Sequence, residues 1–205
     1  MIPFNRIANP APAVWNVVKT LVIVALFNAV FVWAIPAAIV SLQRESGDFD
    51  ALFFPPQLEI GRGVLVAASL VVFWASMMLA IRGGGTPVPF DAPRRLVVGG
   101  PYAWLRTPMV TGTVMQGVGL TLMAGSIVVI VYFVTFALLW NTFVRPTEED
   151  RMQSQFGRDF ELYRRSVRCW LPMRTPWRRP EGETGPITLD ETPDPNRRRR
   201  SKSRY

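Results

Sequence analysis

Long apolar runs alternate with short charged connectors along this chain, and a polar tail follows them. The run from Thr20 to Leu42 is almost purely apolar. At about 1.5 Å per residue it exceeds the roughly 30 Å of a bilayer's hydrocarbon core. It is too long for the apolar region of a signal peptide and passes through Pro36 without a clear cleavage site, so it predicts a first transmembrane helix. Gly63 to Ile81 predicts a second. Met109 to Val144 is too long for one helix, and its small residues "MAGS", Met123 to Ser126, predict a tight turn between two arms. The first arm is short. The expectation is an all-α integral membrane protein with about four transmembrane helices, the last two a C-terminal hairpin.

Beyond the spans, Pro146 reads as a helix breaker, and Thr147 followed by Glu148, Glu149 and Asp150 resembles a capping box. Met152, Phe156, Phe160, Tyr163 and Val167 then recur at spacings of four, four, three and four. That period predicts one amphipathic helix, interrupted at some cost by Gly157. From Arg174 on, Pro, Gly and charge dominate, a composition that predicts a disordered basic tail. Three regions follow: N-terminal transmembrane helices over 1–82, a core over 83–172 and the tail over 173–205.

Charge orients this frame. Arg6 and Lys19 precede the first span, the loop after the second holds Arg82, Arg94, Arg95 and Arg106 against Asp91, and Arg145 follows the last. With four spans every basic region falls on one side, which predicts that both termini and the amphipathic helix are cytoplasmic. The net charge of +8 thus points to a bilayer partner and makes nucleic acid an unlikely one. Histidine is absent and cysteine occurs once, so no Cys/His zinc site and no intrachain disulfide can form. No metal is expected, and no imidazole base exists.

Two segments carry candidate chemistry. In "VVGGPYAWLRTPMVTG", Val97 to Gly112, Gly99 and Gly100 expose backbone N–H groups beside Arg106, a combination suited to a carboxylate or phosphate. Glu148 and Glu149 offer carboxylates for an ammonium or for ribose hydroxyls. Each feature also has a plain explanation: Arg106 as a positive-inside anchor, the two glutamates as helix-dipole partners, Gly99 and Gly100 as a turn, and Gly112, Gly117 and Gly119 as close-packing positions.

"GPYAWLRTPMVTG", Gly100 to Gly112, resembles the G-P-Y-x-x-x-R-[HN]-P-x-Y-x-G signature of the isoprenylcysteine carboxyl methyltransferase family and its phospholipid methyltransferase relatives. "EEDRMQSQFGRDFELY", Glu148 to Tyr163, is similar to that family's second signature, and "GGGTPVPFDAPRRLVV", Gly83 to Val98, resembles the upstream segment of bacterial members. The likeness covers about residues 83–172. It implies a membrane-embedded S-adenosylmethionine-dependent methyltransferase of a bacterial plasma membrane acting on a lipophilic acceptor. By the match, Gly99, Gly100, Tyr102, Arg106, Pro108, Gly112, Glu148 and Glu149 would bind the cofactor, with Arg106 and Glu149 the catalytic candidates. Two departures stand out: Thr107 replaces the family's His and Val110 its Tyr. The alternative is a catalytically weak family member serving as a membrane scaffold or partner subunit. The sterol-reductase branch, a nicotinamide-using rival, fits the paired glutamates less well.

Overall fold

The computed structural model describes residues 12–46, 54, 56–86 and 93–179. Among them the chain is helical, with no β-strand. Helix α1 (Ala13–Phe27) runs through a π-helical segment, Asn28–Ala34, into α2 (Ile35–Ser46). Helix α3 (Gln57–Met78) ends in a π-helical turn, Leu79–Gly83. Helix α4 covers Pro108–Ala124. Helix α5 (Ile127–Leu139) continues through Trp140–Val144 into α6 (Arg145–Phe156), and α7 covers Arg158–Ser166.

Three continuous helices, Ala13–Ser46, Gln57–Gly83 and Ile127–Phe156, are long and apolar enough to cross a membrane, at 34, 27 and 30 residues. Their outer faces carry large exposed apolar side chains, among them Trp33, Leu70, Trp74, Leu138 and Phe143. Exposed apolar surface on this scale is matched by lipid, not by water. Helix α4 has 17 residues, short of the roughly 20 that a span needs. Gly125 closes it in the left-handed conformation at φ 65°, and the Ser126 side chain caps α5, so the break falls within the predicted "MAGS".

Small residues hold this body together. A Cβ on Gly119 would lie 2.8 Å from the Gly61 carbonyl oxygen, and one on Gly112 would lie 2.6 Å from Val72. These contacts bring α4 hard against α3, as small residues do where no hydrophobic effect separates helix from lipid. Gly117 does the same for α5, because a Cβ there would meet the Phe133 ring at 2.2 Å. Phe133 packs with Val32, Leu120 and Val129 as a buried cluster. Polar side chains add cross-links: Ser126 donates to Gln43 Oε1 at 2.6 Å, and Gln57 donates to the Leu122 carbonyl.

Two local expectations need correction. Pro146 does not break the helix. The Arg145 N–H reaches the Trp140 carbonyl five residues back, and this widened turn makes room for the proline ring. Gly157 does more than interrupt: at φ 54° and ψ −123° it separates α6 from α7, in a conformation that favours glycine. The predicted apolar stripe still forms one core across that break. Phe160, Tyr163 and Val167 are buried, with Met152 and Phe156 packed against them.

Met173 and Trp177 join the same core, which carries the packed chain past residue 173, where composition had put the start of the tail. The Met173 and Trp177 N–H groups donate to the Trp104 and Ala103 carbonyls at 3.0 and 2.8 Å. The Trp177 ring meets Tyr163 edge-on with centroids 5.6 Å apart. Two large apolar side chains are enough to dock a segment whose average composition is polar. The expected disorder of 180–205 lies outside the described residues, as do Arg6 and Asp91.

Candidate active site

The glycine-rich loop is built onto the end of α3. Gly100 opens a 3₁₀ turn, Gly100–Ala103, at φ 60°, and a Cβ there would lie 2.8 Å from the Met78 methyl. Gly99 packs close to Arg82, where a Cβ would come within 3.1 Å of its Nη1. The other side of the loop is clamped by the chain around and after α7. Tyr163 Oη donates to the Tyr102 carbonyl at 2.8 Å, the Arg106 N–H to the Arg168 carbonyl at 2.9 Å, and Thr107 Oγ1 to the Cys169 carbonyl at 2.6 Å. Pro108 then starts α4, where its missing N–H costs nothing.

Between this loop, the helix body and α6 lies a cavity of about 430 Å³. Its polar end is lined by Arg95, Tyr102, Arg106, Glu148, Glu149 and Arg151. Its other end is lined by Val24, Phe27, Val72, Phe136 and Trp140 from α1, α3, α5 and the π-helical segment that follows α5. One cavity therefore carries a charged wall from the loop and α6 and an apolar wall from the long helices.

The two glutamates sit in different surroundings. Three guanidinium groups face Glu149: Arg106 at 3.4 Å, Arg164 at 3.7 Å and Arg145 at 4.0 Å. They come from the loop, α7 and α6, so this carboxylate ties three elements together. Glu148 instead faces Tyr102 and Arg151. Burial, reinforced by the Glu148 charge, raises the Tyr102 hydroxyl well above the usual phenol range. Tyr102 therefore stays protonated at neutral pH and is a hydrogen-bond donor, not a base.

Arg106 is the least satisfied charge in the site. Its Nε and Nη1 atoms are buried, with no hydrogen-bond partner among the described residues. The 3.4 Å approach to Glu149 is close enough for attraction but does not make a hydrogen bond. A buried guanidinium with open donors is costly unless an anion completes it. A carboxylate, which takes a bidentate bond from arginine, fits that requirement.

The cavity thus brings together Tyr102, Arg106, Pro108, Glu148 and Glu149 from the sequence-derived set. Gly99, Gly100 and Gly112 do not line it; they set the approach of the loop and of α4 to α3. Arg145 and Arg164 lie outside the sequence-derived set, although Arg145 stands four residues before Glu149 on the same helix, a spacing that predicts an ion pair. Arg95, Arg151 and Asn28 also reach the cavity, and no spacing rule would have found them. No group of three or more His, Cys, Asp or Glu placed to hold a metal occurs among the described residues.

A model of the phospholipid methyltransferase family matches residues 57–159, from the start of α3 to the first residues of α7. The match spans about half of the chain and includes the loop, α4 to α6 and both glutamates, and the chain belongs to that family. It is a methyltransferase family acting at membranes on lipophilic substrates, and the apolar helices here agree with that setting. No curated protein and no solved structure matches the chain.

Proposed function

We propose that this chain is a membrane-embedded, S-adenosylmethionine-dependent methyltransferase acting on a lipophilic acceptor with a carboxylate. The observation that carries the reading is the single cavity, charged at one end and apolar at the other. A polar cofactor from the cytosol and an apolar acceptor from the bilayer can meet only in such a place. In this reading α4 and α5 form a hairpin, α4 tilts or sits shallow as the third of four spans, and both termini are cytoplasmic in a bacterial plasma membrane. Residues 83–172 are the methyltransferase core.

When bound, S-adenosylmethionine supplies an electrophilic methyl group on a sulfonium. The residues present fit it. Arg106 holds its carboxylate through the two open donors. Glu148 takes its ammonium or ribose hydroxyls, Tyr102 lines the same end, and Glu149 orients Arg106 as the shared partner of three arginines. Pro108 fixes where α4 departs from the loop. Gly99, Gly100 and Gly112 serve the site by letting loop and helix approach α3. Apolar walls from α1 and α5 exclude water, and positioning supplies most of the rate.

The acceptor assignment follows from the imidazole that is missing, with Glu148, whose carboxyl is raised by burial above the usual carboxylate range, engaged by the cofactor. The chain has no histidine, and Tyr102 is held protonated. A carboxylate is ionised at neutral pH and needs no base. Membranes incubated with methyl-labelled cofactor should yield a lipophilic product whose label is released by mild alkali as methanol. Label that resists alkali would contradict the carboxylate while leaving methyl transfer standing. A second reading, a membrane scaffold without turnover, is favoured by one observation: Thr107, in place of the family's histidine, spends its hydroxyl on the Cys169 carbonyl. Cofactor binding without labelled product would favour it.

A further inference from the structure

The apolar end of the cavity is not uniformly apolar. Asn28 and Thr113 both line it. Asn28 lies nine residues beyond Lys19, the last charge before the first span, which is about 14 Å along a helix axis. In a hydrocarbon core of about 30 Å that is close to the midplane. Polar side chains at such depth are costly and need partners.

Asn28 is also held in place. Gln116 Nε2, on α4, donates to Asn28 Oδ1 at 3.0 Å and approaches Ser69 Oγ of α3 at 2.9 Å. Ser69 Oγ in turn donates to the Leu65 carbonyl at 2.7 Å. Asn28 Nδ2 gives one hydrogen to the Val24 carbonyl at 2.9 Å. Its second N–H, since an amide nitrogen carries two, has no acceptor among the described residues. Gln116 Oε1 is buried with no partner among the described residues. Helix association alone accounts for bonds that link the π-helical segment after α1 with α4, and α4 with α3. It does not account for an amide that lines the cavity with a donor left over. Asn28 moreover opens the π-helical segment Asn28–Ala34, a backbone form concentrated at functional sites.

We propose that Asn28 is a specificity-determining residue that recognises an oxygen, hydroxyl or carbonyl, carried on the apolar body of the acceptor, and that Gln116 and Ser69 are its positioning residues. This rests on the acceptor site proposed above and adds to it: the acceptor is an oxygenated chain, not a plain hydrocarbon tail. Neither residue motif of the loop or of α6 contains Asn28, and it lies before the residues matched by the family model.

The test is equilibrium binding to the purified full chain in detergent. The probes are palmitic acid and the series of monohydroxy-palmitic acids with the hydroxyl at successive carbons. The carboxylate suits the arginine end and the chain suits the apolar end. Some mid-chain isomer should bind at least tenfold tighter than palmitic acid, and Asn28→Leu should bring that isomer within about twofold of the parent. Palmitic acid itself should bind the variant and the wild type alike, which a merely structural role would not allow. Trp33→Leu, on the lipid side, should keep the preference. If palmitic acid binds but no isomer is preferred, or if the preference survives Asn28→Leu, the inference is overturned while the acceptor site stands. If no fatty acid binds, the fatty-carboxylate acceptor site falls and the inference with it.

Discussion

The helix body and the unit around α7 are held together by opposite means. In the body, helices meet through missing side chains: Gly61, Gly112 and Gly119 have neighbours across the α3–α4 contact where a Cβ would stand, and Gly117 has the Phe133 ring of α5. Around α7, large side chains do the work: Phe160, Tyr163 and Trp177 fill a core, and Arg179 pairs with Asp159 at 2.8 Å. The solvent explains the contrast. Lipid gives apolar helices no reason to associate, so close backbone approach must supply the attraction. Water drives aromatic side chains together unaided. The cavity lies where the two regimes meet, and each contributes the wall that suits its own solvent.

That comparison can be broken most severely at Gly117. Gly117→Val places methyl groups inside the Phe133 ring and should cost about 3 kcal/mol or more. The loss would be read as a lower unfolding midpoint in detergent, with α4 parting from α5. A smaller effect is expected on the other side of the boundary. Gly157→Ala forces an alanine into φ 54°, ψ −123°, a strain of roughly 1–3 kcal/mol. Nothing lies within 4 Å of a Cβ there, so the cost is conformational and not steric. Proteolysis between α6 and α7 should quicken while the helix body keeps its melting behaviour. Smaller still, Tyr163→Phe removes the bond to the Tyr102 carbonyl and should cost about 1 kcal/mol. Its effect should fall on the loop, as faster amide exchange near Tyr102. At the low end, Arg62→Gln breaks an exposed pair with Glu59 and should change stability by less than about 0.5 kcal/mol.

Periodicity and length made much of this fold legible. The apolar runs predict the helices, "MAGS" predicts the break between α4 and α5, and the stripe from Met152 to Val167 predicts the core that α7 completes. The errors have a common physical origin. Intrinsic preference makes Pro146 and Gly157 interruptions, whereas a π-helical turn absorbs the one and a special backbone conformation uses the other. The polar average of the tail hides Met173 and Trp177, two apolar anchors that dock the segment. In the site, residues inside the two motifs could be found from sequence. Arg164 on Glu149 and Asn28 at the apolar end could not, because only the folded chain brings them there.

The central claim is that the charged end of the cavity holds S-adenosylmethionine through Arg106. Calorimetric binding of the cofactor to the purified protein, wild type against Arg106→Lys, tests it most directly. Lysine keeps the charge but cannot supply the forked donors. The account predicts binding by the wild type and a loss of at least tenfold, about 1.4 kcal/mol, in a variant that melts normally. Equal affinity in the two proteins would contradict it and return Arg106 to the role of a membrane-surface anchor.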